Sequence, residues 1–409
     1  MCPAPLWEHR GCGEIAVSGA TTTTAATPIP LLLLGSLGDP LSERGVDCPG
    51  ALPAASDPAL VARASAAKGA LGDRVFVLGH HYQRDEVIRF ADVTGDSFRL
   101  AEQAAARPTA EFIVFCGVHF MAESADILTA AHQRVVLPDL AAGCSMADMA
   151  SAVQVEDCWD TLCDAGVADA TVPVSYMNSS AAIKAFTGRH GGTICTSSNA
   201  QRALRWAFEQ RSPGTGKVLF MPDQHLGRNT AVRQLGLTLE DCVVFDPRQV
   251  SGGVTPEQLR AARMILWKGH CSVHGRFTVS AVDEVRRRIP GVQVIAHPEC
   301  SFEVTGAADL VGSTDFIIKT ISAAPAGSAF AVGTELNLVQ RLAADHPDKT
   351  VVFLDKAVCY CSTMNRIDLP HLVWALEQLV AGDVPNVIAV EPRTAAEARK
   401  ALEQMLALA

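Results

Sequence analysis

The stretch VFVLGHHYQRDEV, residues 75–87, decides how the chain reads. Val75, Phe76, Val77 and Leu78 run without a polar interruption, the pattern of a strand buried on both faces. The chain then turns polar at His80, His81, Tyr82 and Gln83, and Asp85 and Glu86 open a helix-like segment whose first turn favours acidic side chains. Strand, polar edge and helix together make the repeating phrase of a parallel α/β sheet.

The phrase recurs along the chain. FIVFCG (112–117) and RVVLPD (134–139) complete a first group; VPVSYM (172–177), GTICTSS (192–198) and KVLFMPD (217–223) form a second; VQVIAHPE (292–299), FIIKT (316–320) and AFAVGTE (329–335) form a third. Apolar runs separated by helical segments rich in Ala and Leu predict parallel sheets covered on both faces, and three groups of three strands predict a triplicated α/β unit. The expected boundaries are 56–150, 151–270 and 271–358 for three α/β domains, with 359–409 packing back on them. Residues 1–55 carry GATTTTAATPIP and scattered Gly and Pro without a sustained period, which predicts a poorly ordered tail.

A 409-residue chain exceeds what one hydrophobic core usually organises, and 48% apolar against 19% charged residues places its body among globular proteins. A formal charge of −10 with no basic stripe excludes a general nucleic-acid binder. The longest N-terminal apolar run, PIPLLLLG (28–35), is too short to span a bilayer, so no membrane role is expected. Thirteen cysteines, an odd number without compact spacing, fit reduced thiols in the cytoplasm better than a secreted disulfide framework.

Polar residues cluster where the predicted strands end, the edge at which open α/β sheets bind ligands. They are His80 and Tyr82, Tyr176 and Asn178, Ser197 within TSSN, His297 and Glu299, and Ser313 with Thr314. His80 and Tyr82 are candidate proton donors or acceptors; Glu299, stiffened by Pro298, is a candidate general base or a helix cap. The hydroxyls of CTSSNA and VGSTD, at helix entrances, suit a carboxylate or phosphate and equally suit simple capping. PDQHLGRN adds His225 and Arg228, the latter matched to bidentate anion binding.

Three cysteines each follow a strand-like run: Cys144 after RVVLPDLAAG, Cys271 after RMILWKGH and Cys359 after TVVFLDKAV. Converging from three units, they could hold an iron–sulfur cluster or a zinc ion, or each could be an inert buried thiol. Cys195, Cys300 and Cys361 compete for the role, while Cys116, Cys158 and Cys163 read as core packing. Three protein ligands would leave an open coordination position for substrate.

GHHYQRDEV, LPDLAAGCSMAD, VSYMNSSAAIKA, TSSNA, LFMPDQHLGRNTA, WKGHCSVHGRF, IAHPE, VGSTD, VGTELNLVQRL and CYCSTMNRIDLPHLVWALE together resemble the quinolinate synthase family, in its order from about residue 75 to 380. The resemblance implies three pseudo-symmetric three-layer α/β/α domains around a central active site, and a [4Fe–4S] cluster held by Cys144, Cys271 and Cys359. Where the family often has Cys-Pro-Cys this chain has Cys359-Tyr360-Cys361. It further implies a transferase of NAD biosynthesis that condenses iminoaspartate with dihydroxyacetone phosphate, releasing phosphate and water, with the cluster acting as a Lewis acid. Matched site residues are His80, Tyr82, Ser97, Tyr176, Asn178, Ser197, His297, Glu299, Ser313 and Thr314, among which Tyr82, Glu299, His80 and Tyr176 are the catalytic candidates. An L-aspartate oxidase is the implied transient partner. Two other readings stay open on residue chemistry: a zinc-dependent lyase or hydrolase using the same cysteines, and a non-catalytic iron–sulfur sensor, against which the crowding of acid–base residues weighs.

Overall fold

Each of the three apolar groups becomes one sheet. The computed structural model describes residues 54, 56–211, 214–355 and 360–408. Its first sheet contains β1 (Val75–His80), β2 (Val93–Gly95), β3 (Phe112–Cys116) and β4 (Arg134–Val136). The second contains β5 (Thr171–Tyr176), β6 (Thr193–Cys195), β7 (Lys217–Met221), β8 (Cys242–Phe245) and β9 (Met264–Trp267). The third contains β10 (Gln293–Ala296), β11 (Leu310–Val311), β12 (Ala329–Gly333) and β13 (Thr350–Phe353), and β14 (Val387–Ile388) returns to the first sheet beside β4.

Triplication shows in the strand order. Reading across each sheet gives β2-β1-β3-β4, β6-β5-β7-β9 and β11-β10-β12-β13, so the first strand of every group lies between the second and third. All named strands pair in parallel except β14 with β4. Alternate residues of one strand feed opposite faces. Val218 and Phe220 of β7 join one core cluster, and Leu219 and Met221 join another. On β10, Val294 and Ala296 face one cluster while Ile295 faces a second. Both faces of these sheets are therefore covered, which is the three-layer α/β/α arrangement and the reason the strands read as continuous apolar runs.

One expected strand is a helix. FIIKT falls inside the helix Thr314–Ala323, where Ile317 and Ile321 are buried one turn apart and Phe316 stays 39% exposed. A run of β-branched residues suits either state; the Ser313 N-cap, whose Oγ accepts the Phe316 N–H at 3.3 Å, settles it locally as a helix. The strand of that group is the two-residue β11 just upstream.

Residues 360–408 place the helix Leu369–Ala381 against the helix Leu60–Leu71, and the helix Pro392–Ala407 against Ala181–Arg189. Ala398, Ala401, Leu402 and Met405 line the buried side of the last helix. The tail expected over 1–55 lies outside the described residues apart from Ala54. Among the described residues no helix is long and apolar enough to cross a membrane.

Candidate functional site

The carboxyl ends of the central strands converge. β1 ends at His80, β5 at Tyr176 and β10 just before His297; β12 is followed at once by Thr334. All four residues are buried. His80 Nδ1 accepts the Tyr82 N–H at 3.1 Å, which holds the Tyr82 ring edge-on to the imidazole at 4.7 Å. The Tyr82 hydroxyl then reaches the third sheet, sharing hydrogen bonds of 2.9 Å with Thr314 Oγ1 and with Thr334 Oγ1.

Glu299 sits where the second and third sheets meet. The Tyr176 hydroxyl donates to Glu299 Oε1, and His274 Nδ1 lies 2.7 Å from Glu299 Oε2. His297 stacks on His274 with ring centroids 4.4 Å apart, and its Nδ1 is 4.0 Å from Glu299 Oε1. Burial pushes the Glu299 carboxyl upward, but His274 beside it and the Tyr176 hydrogen bond outweigh it and hold the group ionised. Burial together with the Glu299 charge pushes Tyr176 and Tyr82 above their usual range. Asp223, the N-cap of the helix Gln224–Leu235, is raised by burial and then by Glu299. Burial lowers His80 and His297 to about 3 each. The centre thus combines one ionised carboxylate with protonated phenols and uncharged imidazoles, so a base and proton donors stand side by side.

The thiols repeat one local design. Cys144, Cys271 and Cys361 each stand three residues ahead of a short 3-10 turn: Ala147–Met149, His274–Arg276 and Met364–Arg366. Backbone N–H groups of those turns approach each sulfur: Met146 and Ala147 for Cys144, His274 for Cys271, Thr363 and Met364 for Cys361. The three lie close enough to repel one another as thiolates. Burial pushes Cys144 up to about 12, with Cys361 adding to it; burial and then Glu299 raise Cys271, to which both other thiols contribute. Three partly buried soft donors pointed at by backbone N–H groups fit a cationic metal centre, whose positive charge would offset that mutual repulsion. Cys359 lies outside the described residues.

A second donor set overlaps the first. Cys271 Sγ, a His274 ring nitrogen and a Glu299 oxygen fall within 4.8 Å of one another. In this set the nitrogen and oxygen are already spent: His274 Nδ1 bonds Glu299 Oε2, its Nε2 bonds Thr334 Oγ1 at 3.2 Å, and Glu299 Oε1 accepts from Tyr176. The three thiols are the donor set left available.

The remaining candidates surround this centre. Asn178 Oδ1 is buried without a hydrogen-bond partner, an acceptor waiting for a donor. Ser97 opens the helix Ser97–Ala105, and Ser197 precedes the helix Ala200–Gln210; Ser198 Oγ donates to Asp96 Oδ2 at 2.7 Å, tying their two loops together. Ser313 is engaged as a helix cap. His225 keeps a buried Nδ1 without a partner, and Arg228 reaches Gln224 Oε1 at 3.4 Å. Cys116 and Cys158 are buried as expected, whereas Cys163 is exposed because its position in the helix Ala152–Asp164 faces solvent. Sequence reasoning passed over His274 and Thr334, although both stand in quoted motifs. His274 stands three residues after Cys271, and Thr334 follows β12 as the polar His81 follows β1.

Comparison with known proteins matches this arrangement to one family. The family model NadA, quinolinate synthetase A protein, fits residues 64–407. The chain belongs to the quinolinate synthase family. It is 71% identical to a quinolinate synthase of a Nocardioides species over 93% of this chain and 97% of that protein. A quinolinate synthase of Streptomyces coelicolor is 70% identical over 93% and 96%, and one of Geobacillus kaustophilus 55% identical over 86% and 94%. Membership makes the chain an enzyme of NAD biosynthesis and makes the converging strand ends its candidate active site.

Proposed function

We propose that this enzyme condenses iminoaspartate with dihydroxyacetone phosphate to give quinolinate, phosphate and water. One carbon–carbon and one carbon–nitrogen bond form, the phosphate leaves, the carbonyl and hydroxyl oxygens of the triose leave as two waters, and no net oxidation occurs, which makes the chain a transferase. The observation that carries the reading is the meeting of Tyr82, Tyr176 and Glu299, one from each sheet's edge, beside three partly buried thiols.

Cys144, Cys271 and a thiol of the Cys359-Tyr360-Cys361 turn would hold a [4Fe–4S] cluster. The shared 3-10 turn and the N–H groups aimed at its sulfur favour Cys361 over Cys359. Such a cluster with three protein ligands supplies a Lewis-acidic iron at which substrate oxygens are polarised.

The protein's own residues do the rest. Glu299, held ionised, accepts a proton, and Tyr176 returns one through the hydrogen bond they share. His80 and Tyr82 close the first sheet's side of the pocket, and because Nδ1 of the uncharged His80 already accepts the Tyr82 N–H, its Nε2–H is left as a donor. Asn178 Oδ1 receives a substrate donor, and the hydroxyls of Ser97, Ser197, Ser313 and Thr314 with nearby helix N-termini hold carboxylate and phosphate oxygens. Burial of the centre excludes water from a reactive imine. A transient contact with an L-aspartate oxidase would deliver that imine, and a cytoplasmic location suits the reduced thiols.

Anaerobic reconstitution with iron and sulfide tests this directly. The expected result is a brown, oxygen-sensitive protein that forms quinolinate from the two substrates; a colourless zinc protein without that activity rejects it. Cys361→Ala should abolish the brown absorption, and Cys359→Ala should retain it.

A further inference from the structure

Glu299 is held by its backbone as well as by its carboxylate, and the group that holds the backbone comes from another sheet. Asn229 lies in the middle of the helix Gln224–Leu235, which follows β7 of the second sheet, and is 2% exposed. Its Nδ2 donates to the Pro298 carbonyl and to the Cys300 carbonyl, each at 2.8 Å. These are the carbonyls on either side of Glu299. On its other side, Asn229 Oδ1 accepts from the Thr305 hydroxyl at 3.0 Å.

The orientation of the amide follows from its partners. A carbonyl only accepts, so the nitrogen with its two hydrogens must face Pro298 and Cys300, and the oxygen is left for the hydroxyl. Both hydrogens are then used, one on each carbonyl. The turn they grip is also closed on itself, since the Cys300 N–H donates to the His297 carbonyl at 2.9 Å and the Glu299 N–H to His297 Nδ1 at 3.4 Å. One turn along the same helix, Arg233 extends the contact: Nη2 donates to the Phe302 carbonyl at 2.6 Å and Nε to Thr305 Oγ1 at 3.1 Å. Tyr176, which donates to Glu299 Oε1, ends a strand of that same second sheet. Glu299 is therefore held to the second sheet at both ends, its backbone through Asn229 and its carboxylate through Tyr176.

We propose that Asn229 is a positioning residue that fixes the Glu299 turn against the second sheet, so that the carboxylate meets the Tyr176 hydroxyl. The inference rests on the functional reading above for its kinetics and on the hydrogen-bond geometry for its structure. Fixing the two peptide groups that flank Glu299 sets the direction in which its side chain leaves the backbone. Asn229 acts through Glu299 and not on the substrate.

The test uses the reconstituted enzyme, with rates expressed per cluster. Asn229→Ala removes all three bonds and should lower kcat about tenfold or more while leaving KM near wild type. In a Glu299→Gln background there is no carboxylate to place, so adding Asn229→Ala should cost no more than about threefold. Equal costs in the two backgrounds, which a smaller fraction of correctly folded enzyme would produce, overturn the proposal, as does an Asn229→Ala enzyme with wild-type kcat. If Asn229→Ala does not fold, Asn229→Ser, which keeps one donor, is read by the same comparison. Amide hydrogen exchange needs no turnover and separates this from failure of the functional reading. In the variant, amides of residues 299–305 should exchange faster than in the parent, while residues 224–235 and the rest of the chain keep their rates. Unchanged exchange over 299–305, or faster exchange throughout, overturns the proposal even if the wild type forms quinolinate. The local pattern sustains the grip on the turn even if the wild type does not.

Discussion

Glu299 and Asp223 are two buried carboxylates driven in opposite directions, Asp223 toward its protonated form by burial and by the Glu299 charge, Glu299 toward its ionised form by His274 and Tyr176. Separated titrations of this kind mark an acid and a base. Glu299→Gln keeps the shape and the Tyr176 contact but removes the charge; turnover should fall on the order of 10²–10⁴-fold, with the visible absorption of the reconstituted protein unchanged. Steady-state quinolinate formation beside an absorption spectrum checks both halves, and a bleached variant would make Glu299 structural. Asn178 offers a different measurement. Its Oδ1 is a buried acceptor left open in the protein, so Asn178→Ala should raise KM about tenfold with a smaller effect on kcat. At this scale the sequence exposed residues whose chemistry is visible in their type and place after a strand, such as Tyr82, Tyr176 and Glu299. It concealed His274 and Thr334, because a histidine or threonine in a motif has many uses and only the fold shows which atoms it joins.

Elements were legible in proportion to their length. β1, β3, β5, β7 and β12 have five or six residues with mostly buried side chains and stood out as apolar runs. β2, β11 and β14, with two or three residues, carry too few side chains to show a period, and they exist because a longer neighbour offers its edge. FIIKT misled because Ile and Phe serve strand and helix alike. One close fit between helices is also invisible in composition: the helix Ala181–Arg189 meets the helix Pro392–Ala407 at Gly188, where a Cβ would stand 2.0 Å from the Glu397 carbonyl oxygen. Backbone cannot give way as a side-chain tip can. Gly188→Ala should therefore separate the two helices and destabilise the protein by about 1–3 kcal/mol, with Ala401 and Leu402 gaining exposure. Urea unfolding checks the energy, and faster amide exchange in residues 392–407 than elsewhere locates it.

At the scale of the whole molecule, three copies of one strand order bring three polar edges and three thiols to one place, and burial of that place has a measurable consequence. His80 and His297 are lowered from the free value to about 3, chiefly by burial. Between about pH 3 and pH 6.5 each binds a proton in the unfolded chain and not in the folded one. The contribution of each to stability is thus complete above pH 6.5 and is lost as pH falls. His81 and His225, lowered to about 4 by burial, act in the same sense. Asp223 and Glu335, raised by burial, act in the opposite sense, since the folded chain holds their protons where the unfolded chain has released them. With His190 lowered and Asp126 raised by burial as well, five groups against three leave a net loss of stability on acidification between about pH 6 and pH 5. Replacing one histidine isolates one proton from this balance. His297→Asn keeps an acceptor for the Glu299 N–H, now 3.4 Å from Nδ1, and has no titration in this range. Urea unfolding at pH 5, 5.5 and 6 should show the stability of the variant falling less steeply than that of the parent, by about 1.4 kcal/mol per pH unit. Equal slopes would mean that His297 is already charged in the folded protein, and the uncharged imidazole beside Glu299 would have to be abandoned.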